Sequence, residues 1–173
     1  MRLTCKVLAM LMLLGLSASA QAQSKTLHAT IPWEGEGRVF VVGPSKLLFL
    51  GAFDGIMYIA TSEGEMNEAF VECPLSQHLN MESGVSTAQG YCEIVADGQT
   101  VFAQWDCTGR IGFCQGNFQL TGGTGRFEGI TGSSTLIVRS PLGALASDAS
   151  NDVVIRVAAG LAVLPKLTYE LRQ

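Results

Sequence analysis

From Ser24 onward, apolar and polar residues alternate over short windows, and glycine or a polar cluster interrupts the alternation about every eight to fourteen residues. A period of two places successive side chains on opposite faces of an extended chain, so the pattern is that of strands. It predicts strands over Thr26–Ile31, Arg38–Val42, Lys46–Ala60, Glu65–Cys73 and Ser86–Ala96, then over Gln99–Thr108, Phe113–Thr121, Arg126–Arg139, Asp152–Ala159 and Leu167–Leu171. Asp54-Gly55 predicts a bend inside the third of these. Past the N-terminus, only Ala158–Leu164 shows part of a helical stripe, and Gly160 and Pro165 limit it.

Turn chemistry joins four of these strands into a meander. Asp97-Gly98 has the composition of a two-residue hairpin turn. Thr108–Gly112 predicts the next hairpin, and Gly122-Gly123-Thr124-Gly125 the one after. The last segment, TGGTGRFEG, has enough glycine to raise the question of a phosphate cradle. A phosphate-binding loop needs GxxxxGK before Ser or Thr, and a dinucleotide loop needs GxGxxG opening a helix. Gly122, Gly123, Gly125 and Gly129 match neither spacing, and the following RFEGITGSSTLIV alternates as strand. Without a helix N-terminus there is no dipole to hold a phosphate, so these glycines are expected to be structural, at a turn and at points of coiling.

Face parity locates the cysteines. Val101, Ala103, Trp105 and Cys107 share one face, and Cys114, Gly116, Phe118 and Leu120 form the apolar face of the next strand. Ala69, Val71 and Cys73 are likewise in phase, as are Cys92, Ile94 and Ala96. Disulfides Cys73–Cys92 and Cys107–Cys114 fit this parity, which also permits the other pairings. No CxxC redox pair occurs.

The N-terminus places Arg2 and Lys6 before an apolar run, Val7–Leu16, and small residues after it. That layout predicts a secretory signal over residues 1–22, cleaved after Ala22, and one β domain over 23–173. The apolar run is too short to cross a bilayer core, which needs ~20 residues, and no later run is longer without interruption. An oxidising compartment, periplasmic or extracellular, is consistent with four remaining cysteines paired as two disulfides. The formal net charge of −4 becomes −6 when Arg2 and Lys6 are removed, which repels nucleic acid phosphates.

Candidate chemistry is sparse. His28 and His78 are isolated, no HxxxH or HxH pair accompanies them, and Asp97-Gly98 lacks the DxDxDG series of a calcium loop. Neither a metal, a cofactor nor a catalytic residue is expected. Glu68, Glu72 and Glu93 fall opposite the cysteines and are expected in solvent. Glu128 shares a strand face with Arg126, where an ion pair at a rim could orient a ligand. Trp105, in phase with Cys107, is expected inside as core or pocket wall, whereas Trp33, in IPWEGEG, is expected in a loop that caps a mouth.

The run GGTGRFEGITG at positions 122–132 resembles the GGTGxF segment of the allene oxide cyclase and dirigent barrels. With the WDC and CxGxF motifs it also resembles a group of small, uncharacterised secreted bacterial proteins, over most of Leu48–Leu171. The first resemblance implies a small closed antiparallel barrel and a tendency to form homo-oligomers; it carries over no catalytic residue. The expected fold is therefore all-β, a closed or nearly closed antiparallel barrel of about eight strands, with a β-sandwich as the alternative. The expected function is non-catalytic binding of a small apolar ligand, or a structural or interaction role. The alternative is a cyclase or isomerase acting on an apolar substrate within the barrel.

Overall fold

A computed structural model describes residues 24–61, 66–140 and 154–171, with side chains in the last segment from Ala158. The segment assigned to the signal lies outside the described residues. Eight antiparallel strands form one closed barrel in chain order: β1 (Ser24–Gly43), β2 (Lys46–Ala60), β3 (Met66–Asn80), β4 (Val85–Ala96), β5 (Gln99–Arg110), β6 (Phe113–Gly123), β7 (Thr131–Arg139) and β8 (Val154–Glu170). β8 returns to pair with β1, with Trp33 opposite Gly160 and Thr26 opposite Thr168. Closure leaves the sheet without a free edge.

Following the pairing direction around the wall from Pro32, through Leu161, Arg139, Phe113, Arg110, Val85, Asn80 and Lys46, returns to β1 at Gly43. The displacement along β1 is the stagger of the barrel, and it requires strands tilted by about 40° from the axis. Tilt also explains why β1, β2, β3 and β8 are long. A tilted strand needs more residues to cover the same height.

Two predicted strands merge into β1, because IPWEGEG is extended rather than a loop. The Asp54-Gly55 bend is absent as well: β2 runs through it with unbroken pairing to β3. Residues 158–164 are strand. β3 continues seven residues beyond its expected end, so LSQHLN and His78 belong to the sheet.

Inward side chains alternate with solvated ones as parity predicts. β5 reads buried at Val101, Ala103, Trp105 and Cys107 and exposed between them. Below the middle of the barrel the interior is filled by bulky side chains, among them Met57, Val71, Ile94, Leu120, Ile130 and Leu164. Burial of this apolar surface, at about 25 cal/mol per Å², is the main drive for folding.

The two disulfides join Cys73 to Cys92 and Cys107 to Cys114. Cys73 and Cys92 lie directly across the β3–β4 pairing with Cα atoms 4.2 Å apart. Cys107 and Cys114 are diagonal across the β5–β6 hairpin, since Cys107 faces Gly116 and Cys114 faces Gly109. All four sulfurs point inward, where the cysteines are buried.

The glycine-rich run is a corner. β6 ends at Gly123, one 3-10 turn covers Gly125–Phe127, and β7 begins only at Thr131. The expected strand start at Arg126 is thus corrected by five residues. Gly125 has φ +56°, a left-handed conformation that side chains with a Cβ rarely adopt. Gly123 serves close approach instead: a Cβ there would stand 2.7 Å from the Cβ of Phe127. The corner is tied to the start of β5, where Thr124 N–H donates to Thr100 O, Thr100 N–H donates to Thr124 Oγ1 and Arg126 N–H donates to Gln99 Oε1.

Candidate functional site: the open end of the barrel

The barrel has two unlike ends. One end carries the glycine corner and the Asp97-Gly98 turn, and its interior is packed. The other carries the β1–β2, β3–β4 and β5–β6 turns, and there a cavity of about 80 Å³ opens into the barrel. Several inward positions near this end are small: Gly35, Ala88, Ala158 and Ala162 line the space, with Phe49, Leu75, Phe113 and Val138 toward the mouth. Small residues on the tilted inner wall leave space that the bulky residues at the far end remove.

The floor is aromatic. Trp33 lies 5.4 Å from Phe53, and Phe53 lies 5.8 Å from Trp105, both pairs tilted. Trp33 therefore points into the barrel from the middle of β1, half-buried, which corrects its expected place in a capping loop. Its ring occupies the space a side chain would need at Gly160, where a Cβ would stand 2.5 Å from Trp33 Cζ2. Trp105 is inside as parity requires, and borders the cavity. The indole Nε1 atoms of both tryptophans are buried without a hydrogen-bond partner.

Polar side chains on the cavity wall, among the described residues, are Gln77, Ser86, Arg110 and Ser140 besides the two indoles. Gln77 Nε2 donates to Ser86 Oγ at 2.8 Å, and Ser86 is 1% exposed. The donated bond fixes the amide and leaves its carbonyl oxygen as an acceptor toward a ligand. Sequence reading missed this pair. The signal was present, since Gln77 continues the inward phase of Cys73 and Leu75, and Ser86 starts the phase of Ala88 and Cys92. The predicted strand ended at Cys73, short of Gln77, which hid it.

Arg126 and Glu128 do not join this site. Both are exposed at the packed end, within or just after the 3-10 turn, and they share no strand face. Arg126 is paired with Asp97 at 2.5 Å and lies over the Phe127 ring, 4.7 Å from its centroid. Glu128 closes the turn, its N–H donating to Gly125 O. Glu68, Glu72 and Glu93 are exposed on the outer wall, as expected. His28 and His78 are exposed too, on β1 and β3, and are not brought together with a carboxylate and a nucleophile. No group of three or more His, Cys, Asp or Glu side chains suited to a metal occurs among the described residues.

No described helix is long and apolar enough to cross a membrane. Comparison of the chain with models of protein families, with curated proteins and with solved structures found no match.

Proposed function

We propose that the protein is a secreted or periplasmic binding protein that holds the end of a small apolar molecule in the open half of its barrel. The observation that carries this reading is the uneven filling of the interior: bulky side chains pack one end, and a wall of small residues over an aromatic floor leaves space at the other. Drug-sized pockets are ~300–1,000 Å³. A cavity of about 80 Å³ suits only a short apolar segment, and the rest of the ligand lies in the mouth. The Gln77–Ser86 pair orients a ligand by a hydrogen bond, which supports holding over turnover, because neither group exchanges a proton near neutral pH. The two disulfides support an oxidising compartment, and with it cleavage of the leader after Ala22.

The test uses N-phenyl-1-naphthylamine, an apolar fluorophore, with the parent and with Ala88→Phe. Ala88 is 8% exposed and lines the cavity. The parent is expected to bind one probe per chain with energy transfer from Trp33 and Trp105. Ala88→Phe fills the space and is expected to weaken binding by at least about tenfold, equivalent to 1.4 kcal/mol. Parent protein that leaves the probe dark, or an Ala88→Phe variant that binds it like the parent, refutes the reading.

A further inference from the structure

A second concavity lies on the outer wall, over β3 to β6. It is a groove of about 550 Å³, separate from the cavity except that Leu75 and Trp105 border both. The wall is thin here for two reasons legible in the sequence. Pro74 has no N–H to give to the β3–β4 ladder, and Gly90 has no side chain. A Cβ at Gly90 would stand 2.5 Å from Pro74 O and 2.9 Å from Trp105 Nε1, so the unpartnered indole N–H of a side chain that is 7% exposed lies directly beneath the groove floor.

The outward side chains that wall the groove are mostly amides, with one carboxylate and one exposed aromatic among them. Gln104 Nε2 donates to Gln119 Oε1 at 3.0 Å, which leaves Gln104 Oε1 as an acceptor and Gln119 Nε2 as a donor on neighbouring strands. Asn117 Nδ2 reaches both oxygens of Asp106 at 3.5 Å, and Gln89 stands across from Asp106 in register. Tyr91, across from Gln104, is 67% exposed, although it sits in the middle of a central strand. The row thus offers one aromatic face beside amides held in place by each other.

Elimination by chemistry selects the ligand. The closed barrel has no free edge to add a peptide strand. Among the described residues no Lys or Arg lines the groove, which removes nucleic acids and other polyanions. A wholly apolar ligand would strip water from the amides and leave them unpaired, at about 1–3 kcal/mol for each group. A sugar fits all three conditions: its hydroxyls both donate and accept, and the C–H face of its ring packs on an aromatic. We propose that this groove binds a neutral oligosaccharide, with Tyr91 as the stacking platform and Gln104, Gln119 and Asn117 as the hydroxyl-reading groups. This site is independent of ligand binding in the barrel interior.

The experiment is isothermal titration of the full mature chain with cellotriose, maltotriose and chitotriose. At least one is expected to bind with a Kd of about 1 mM or tighter, and Tyr91→Ala and Gln104→Ala are each expected to weaken that binding by about tenfold or more. Tyr91→Phe keeps the ring and is expected to stay within about twofold. Both positions are exposed, so the variants are expected to fold, which circular dichroism checks. Absence of heat with all three sugars at millimolar concentration overturns the proposal, as does binding that survives Tyr91→Ala. Equal or tighter binding of a sulfated trisaccharide would also overturn it, because the groove has no cation to favour one.

Discussion

A Cβ at Gly116 would lie 1.9 Å from the carbonyl oxygen of Asp106 and 2.6 Å from the Cα of Cys107. Both obstacles are backbone of the paired strand β5, so no side-chain rotation relieves them. Gly116→Ala must spread β5 from β6 beside a disulfide, and a loss of about 1–3 kcal/mol or more is expected. Arg126→Ala makes the contrast, because its pair with Asp97 is solvent-exposed on both sides, 52% and 76%. Its loss, with the contact on Phe127, is expected to stay within about 1 kcal/mol. Urea denaturation of the two variants checks both, and equal midpoints would contradict the packing argument. Parity alone placed Trp105 and the four cysteines, because a period of two fixes which face a residue takes. Trp33 was misplaced for a physical reason. Its partners Gly55 and Gly160 are glycines because backbone and indole occupy the space above them, and from sequence alone a glycine kept for close approach looks the same as one kept for a turn.

At the scale of elements, each disulfide closes a short loop between neighbouring strands: 19 residues separate Cys73 from Cys92, and 7 separate Cys107 from Cys114. In the chain-entropy picture the longer loop contributes about 3.3 kcal/mol and the shorter about 2.5 kcal/mol. Cys73→Ala/Cys92→Ala is therefore expected to lower stability more than Cys107→Ala/Cys114→Ala. Denaturation of the two double variants measures the difference, and the reverse order would show that loop closure does not govern it. The antiparallel meander and the Asp97-Gly98 turn were legible because turn residues and alternation agree there; Asp97 and Gly98 both have positive φ, at 52° and 72°. Strand lengths were not legible. The stagger of a closed barrel sets them, and it emerges only when β8 meets β1. The same limit moved the start of β7, since the alternation of RFEGI persists through a corner that the tie to Gln99 and Thr100 imposes.

For the whole molecule, the sequence indicated a barrel but not its unequal ends. The cavity exists because small residues contributed by different strands, among them Gly35, Ala88, Ala158 and Ala162, come together around the same space inside the barrel. Convergence of that kind depends on register, which a linear reading does not supply. The pairing of β1 with β8 has a further consequence, in the order of events during synthesis. The first strand pairs early with β2 but cannot find its second permanent neighbour until the last has been made, so the growing chain passes most of its length without a closed structure. That delay makes the C-terminal strand a late lock on everything before it. A chain ended after Arg139 would lack β8 and expose unpaired edges on β1 and β7. It is expected to elute from size exclusion as aggregate. A monomer with native-like ellipticity would show instead that seven strands hold their shape without the lock.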